Sequence, residues 1–136
     1  MARRAAPAIA LSLLSLPFLL PHVLEDFRLG IAERVGLTPA IGAALLGAFL
    51  AFQMFGLVSA ALGRSAGLVI TALAGTIWTV GSFVEHGPEF LVRGLSFHGS
   101  PLSAIWVVGL TLCQAASAIA ALIALRSLSP SGRGSG

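Results

Sequence analysis

Four long apolar runs, parted by short polar breaks, set the pattern of this chain. They cover residues 5–24, 39–62, 66–84 and 102–125. At 1.5 Å per residue a helix of about 20 residues crosses a hydrocarbon core of roughly 30 Å, so each run is long enough to span a membrane. The second and third runs are separated only by Gly63-Arg64-Ser65. A break this short forces the two helices antiparallel, and the expected architecture is all-α: a polytopic four-helix bundle running up-down-up-down, with short interfacial segments. One transmembrane domain is expected over 1–126, followed by a flexible tail over 127–136.

The punctuation refines the boundaries. Thr38-Pro39 and Ser100-Pro101 read as an N-cap followed by proline at the first helical position, and Ser65 reads as the cap of the third span. Pro17 and Pro21 each lack a backbone donor, which predicts a kink in the outer third of the first span. Residues 25–35 place Phe27, Ile31 and Val35 at four-residue spacing among charges, the pattern of a short interfacial helix stopped at Gly36. The third span is expected to end at Glu85-His86-Gly87-Pro88. Residues 85–101 are too apolar for a free loop, and are expected to lie on the membrane or fold over the bundle mouth.

Composition agrees with lipid as the solvent. Of 136 residues 57% are hydrophobic and 10% charged, against roughly a quarter charged in soluble domains. The mean hydropathy is +0.97. The basic start Met-Ala-Arg-Arg could open a secretory signal, but Pro21, His22, Glu25 and Asp26 stand where a small-x-small cleavage site would fall, so an uncleaved first span is expected. All eight basic residues are arginines, scattered rather than clustered, which removes support for nucleic-acid binding. Their distribution favours both termini in the cytoplasm and an inner or plasma membrane location: Arg3, Arg4, Arg64, Arg126 and Arg133 lie inside, and Arg28, Arg34 and Arg93 outside. The single Cys113 excludes an internal disulfide and multi-cysteine metal motifs, and its burial makes it inert.

Four spans put every acid and every histidine on one side, the predicted outer one. His22, Glu25 and Asp26 share a helix face, Glu85 and His86 close the third span, and His98 precedes the fourth. These six are the candidate catalytic residues, since imidazole and carboxylate together relay protons or ligate a divalent ion. His22 and His86, on separate helices, are the metal candidates and also a pattern for axial haem ligation. Polar residues also collect at helix ends simply because water begins there, and no HxxxH or HExxH spacing strengthens the metal case. A second set lies deeper. Gln53, Gln114, Thr76 and Thr79, with Ser12 and Ser15, form a mid-membrane polar layer that acts as interhelical glue or lines a pocket for a quinone-like ligand. Trp78 and Trp106 read as interfacial anchors, with ligand stacking the alternative. Thr71, Gly75 and Thr79, and Ala116, Ala120 and Ala124, form small-residue stripes for helix seating.

The segment GAFLAFQMFGLVSAALGRSAGLVITALAGTIWTV resembles the central hairpin of DoxX-like four-helix membrane proteins. Gln53 stands where that family carries a polar or acidic residue, followed by Gly56, Gly63 and Arg64. His22 and Glu25-Asp26-Phe27-Arg28 replace the family's Gly…Lys pair. The resemblance implies an accessory role in membrane redox assemblies.

Three functions are therefore expected in order: a non-catalytic or accessory subunit of a larger, redox-type membrane complex; a membrane enzyme or quinone-, haem- or metal-binding protein using the outer His/carboxylate cluster; and a small oligomeric transporter. The partners expected are the lipid bilayer and other membrane subunits or further copies of the chain. The sequence names no cofactor and does not decide whether the protein is an enzyme.

Overall fold

The computed structural model describes residues 2–128 and is all-helical, with no strand among the described residues. The expected tail lies outside them from residue 129 onward. In chain order the elements are α1 (Ala2–Leu14), α2 (Leu16–Arg28), α3 (Ile31–Arg34), α4 (Pro39–Ala61), α5 (Ser65–Arg93), a 3-10 turn (Gly94–Gly99) and α6 (Pro101–Arg126). Four helical stretches are long and apolar enough to cross a membrane: α1 with α2, α4, α5 with its 3-10 extension, and α6.

The caps follow the local chemistry. Thr38 Oγ1 accepts from Ile41 N at 3.3 Å, and Ser100 Oγ accepts from Leu102 N at 3.2 Å, each with proline beside it. Ser65 does not cap α5; Arg64 holds that place without a side-chain bond, and Ser65 is the first helical residue. The preceding turn explains why a cap is dispensable there. Gly63 adopts φ +77°, so its N–H reaches Ala60 O and the Arg64 N–H reaches Ser59 O, the paired bonds that close a helix C-terminus.

Three boundaries move from their expected places. The first span breaks at Ser15, inward of Pro17, because Pro17 falls in the first turn of α2, where its missing N–H leaves nothing broken. Pro21 is accommodated inside α2, which runs on to Arg28 and absorbs most of the expected interfacial helix, leaving only α3. Likewise α5 continues through Gly87 and Pro88 to Arg93. Proline removes one bond from a ladder of many, and here the remaining turns are held by packing of Phe90 on Phe97. Residues 94–99 then fold back over the helix ends, with Phe97 fully buried.

α6 is the central element, packing on α1, α2, α5 and the 3-10 turn, while α4 packs mainly on α5. Burial is inverted relative to a water-soluble core. Alanines, serines and both glutamines are buried, whereas Phe55, Leu73, Ile77, Leu112 and Ile119 face outward. So apolar an exterior suits lipid as the surrounding solvent. Small residues let the backbones meet: a Cβ on Gly75 would lie 2.7 Å from Gln114 O of α6, and one on Gly56 of α4 would lie 3.3 Å from the backbone nitrogen of Thr71. At the opposite end from the histidines, Arg4 Nη1 donates to Ser127 O at 2.8 Å, tying the start of α1 to the end of α6.

Candidate functional site

α5 has 29 residues and so extends roughly 43 Å, beyond a hydrocarbon core of about 30 Å. Its last turns, the end of α2 and the 3-10 turn meet above the start of α6. All six sequence candidates come together there.

The centre is His22, Asp26 and His86. His22 and Asp26 sit one turn apart on α2, and His86 reaches them from α5. All three are buried, and one ligand atom from each lies within 4.8 Å of the others. Asp26 Oδ2 is 3.3 Å from His22 Nε2 and 3.8 Å from His86 Nε2. The second distance is beyond hydrogen-bond reach and the first is at its long limit. Asp26 Oδ1 and His22 Nδ1 are buried with no hydrogen-bond partner among the described residues, a cost of about 1–3 kcal/mol for each such group. The rings are held edge-to-face, His22 on His86 at 4.8 Å and His86 on Phe97 at 5.2 Å between centroids.

Around this centre runs a chain of polar contacts. Ser103 Oγ donates to Glu25 Oε1 at 2.5 Å, and Glu25 Oε2 lies 3.3 Å from His98 Nδ1. His98 Nε2 is 3.3 Å from Glu89 Oε2, so its ring bridges two carboxylates. His98 has φ +50°, a left-handed conformation that costs a non-glycine residue roughly 1–2 kcal/mol. Its stacking on Phe97 at 3.9 Å and its two carboxylate contacts hold it there. Glu85 sits at the edge, 3.9 Å from Arg34 Nη2 and 3.9 Å from His86 Nε2.

Sequence reasoning missed Glu89, Ser103, Phe97 and Arg34. Glu89 lies one turn beyond Glu85 on α5, and that spacing was hidden by ending the helix at Pro88.

The deeper polar set divides. Gln53 Nε2 donates to Ser12 Oγ at 2.7 Å and its Oε1 accepts from Trp78 Nε1 at 2.8 Å, joining α4 to α1 and α5. Gln114 Nε2 donates to Ser15 Oγ at 2.8 Å, and its Oε1 has no partner among the described residues. Thr76 and Thr79 leave the layer, their hydroxyls donating to Ala72 O and Gly75 O of their own helix. A threonine hydroxyl one turn from a backbone carbonyl satisfies itself locally and needs no neighbour. Trp78 is committed to Gln53 by its N–H, and Trp106 instead borders a shallow hollow with Pro21, Glu25 and Arg28. Cys113 is half-buried rather than deeply placed. Gln53→Leu removes both amide contacts, and is expected to lower resistance to denaturing detergent by about 1–2 kcal/mol and to shift Trp78 fluorescence.

These features define a class: four membrane-length helices closed at one end by a buried histidine–carboxylate centre. No family model, no curated protein and no solved structure matches the chain.

Proposed function

We propose that this is a multi-pass membrane protein that binds one divalent transition-metal ion, zinc above all, at His22, Asp26 and His86. The observation that carries the reading is that two imidazoles and a carboxylate from two helices converge within 4.8 Å while Asp26 Oδ1 stays buried without a partner among the described residues. Ligands about 2.0–2.1 Å from a tetrahedral ion sit about 3.3–3.4 Å apart; the two imidazole–carboxylate pairs stand at 3.3 and 3.8 Å and the set spans up to 4.8 Å, so the side chains would close in on a bound ion. Two nitrogens and one oxygen suit zinc, and three protein ligands leave a fourth position for water or substrate. A bound ion would polarise whatever oxygen enters that position.

The proposed setting is an up-down-up-down bundle with both termini cytoplasmic in an inner or plasma membrane, placing the centre at the outer rim. The arginine distribution supports this, as does the Arg4–Ser127 contact, which brings the start of α1 and the end of α6 together away from the histidines. A second reading, an accessory subunit of a larger membrane assembly, draws on α4, the least buried of the four helices, and on the DoxX-like hairpin.

Metal analysis of detergent-purified protein tests the proposal. One zinc per chain, removed by chelator and restored by titration, is expected; no metal above trace after titration sinks it. Acid competes with zinc for its ligands, so retention is expected to be full at neutral pH and to be lost on acidification.

A further inference from the structure

Pro21, Leu24, Glu25 and Arg28 fall at i, i+3, i+4 and i+7 of α2 and so share one face of that helix. With Leu29, and Trp106 of α6, they line a hollow of about 560 Å³ that none of His22, Asp26 and His86 borders. Its polar groups include two donors without partners. Of the three arginines at the histidine end, Arg34 reaches Glu85 and Arg93 reaches Glu89, whereas the Arg28 guanidinium has neither an ion pair nor a hydrogen bond among the described residues. Glu25 stands one turn back on the same face, but its carboxylate oxygens are turned to Ser103 and His98. Trp78 donates its indole N–H to Gln53, while that of Trp106 has no acceptor among the described residues.

We infer that this hollow holds one phospholipid, with its phosphodiester on the Arg28 guanidinium and an ester oxygen on the Trp106 indole N–H. Charge complementarity selects the phosphate: a guanidinium meets it with parallel N–H donors, and no carboxylate among the described residues has taken them. Glu25 opposes a second negative charge nearby, so a diester, which carries one, suits the place better than a doubly ionised monoester. The order of residues along α2 selects a lipid over a free phosphate. Between Pro21 and Arg28, about 10 Å along the helix axis, the lining changes from proline and leucine to guanidinium. Leu24 is 67% exposed, so the apolar end opens towards hydrocarbon. Trp106 lies about 7.5 Å along α6 from its start at Pro101, which sets the indole at the depth where glycerol esters follow the phosphate. The volume suits the phosphate, the glycerol and the first tail carbons, and the rest of each tail runs on into the bilayer. Nothing in this assignment rests on the metal.

The test titrates the full chain, in mild detergent, with palmitoyl-oleoyl phosphatidylglycerol and counts bound lipids by native mass spectrometry. One lipid per chain is expected to bind more tightly than any that follow. Arg28→Gln is expected to weaken that first lipid about tenfold, and Trp106→Phe, which keeps a ring but loses the N–H, about threefold. Arg93→Gln, which breaks the pair with Glu89 outside the hollow, is expected to leave it unchanged. A diacylglycerol with the same tails is expected to bind about tenfold more weakly, and excess inorganic phosphate is expected not to displace the lipid. Arg28 is exposed, so its substitution leaves the fold intact, and unchanged tryptophan fluorescence in lipid-free protein checks this. A first lipid held as tightly by Arg28→Gln as by wild type overturns the inference. Equal affinity for the diacylglycerol does the same, since only tails are then recognised, as does equal loss in Arg93→Gln, which leaves only the general charge of the rim. Displacement by inorganic phosphate overturns the lipid and leaves a plain anion site. Trp106→Phe with unaltered affinity removes the indole contact and with it the stated pose.

Discussion

His86→Ala is expected to lower zinc affinity by more than about a hundredfold, because loss of even an outer partner of a metal ligand costs 10–100-fold. His22→Ala should match it, since each supplies one of three ligands. A lost ligand must be told apart from a damaged rim, because His86 also packs edge-on against His22 and Phe97. His86→Cys makes the distinction. A thiolate is a good zinc and cobalt ligand, at about 2.3 Å from zinc, whereas a cysteine cannot replace the ring packing. Cobalt-loaded His86→Cys is expected to show a sulfur-to-metal charge-transfer band that wild type lacks. Absence of that band, with zinc affinity unchanged in His86→Ala, would remove His86 from the site. His98 gives the opposite control. Its two nitrogens are turned to Glu25 and Glu89 rather than to the triad, so His98→Ala is expected to cost no more than about tenfold.

That the ligands belong together was half legible in the chain. Four apolar runs force all histidines to one end, and the three-residue spacing between His22 and Glu25 and the four-residue spacing to Asp26 put the acids on the right face. Which of them meet depends on the helix ends, where the sequence misleads. Gly87-Pro88 looks like a stop, yet α5 runs on to Arg93 and thereby brings Glu89 under His98. A proline removes only one hydrogen bond, and the packing of Phe90 on Phe97 depends on the fold-back of residues 94–99, which the local pattern does not show. The same limit affects the mid-membrane layer. Gln53 and Gln114 had to find partners and did, because an amide in hydrocarbon has no local substitute for water. Thr76 and Thr79 lay at equal depth but could satisfy their hydroxyls on their own helix, so depth alone did not distinguish a cross-helix group from a silent one.

The largest effect on stability is expected at Gly67, far from the histidines. Gly67→Ala adds one methyl group, which in water-soluble helices is favourable by about 1 kcal/mol through propensity alone. Here the added Cβ would collide with the backbone nitrogen of Ala60, and would lie 2.6 Å from the carbonyl carbon of Ser59 and 2.7 Å from Gly56 O. All three atoms belong to the backbone of α4, so no rotamer change relieves the contact. Either α4 shifts away from α5 or the hairpin opens. Such overpacking typically costs about 1–3 kcal/mol, and a backbone collision belongs at the upper end or beyond. Gly47 provides the comparison on α4, since a Cβ there meets nothing within 4 Å. Gly47→Ala is expected to be neutral or slightly stabilising in the same detergent unfolding assay, while Gly67→Ala loses about 3 kcal/mol. Equal stability of the two variants would mean that α4 and α5 do not meet at Gly67. Because α4 touches the rest of the chain mainly through α5, a separated hairpin would also release Gln53 from Ser12 and Trp78. The tryptophan signal should therefore change in Gly67→Ala as it does in Gln53→Leu, linking a packing defect between two helices to the polar layer that joins three.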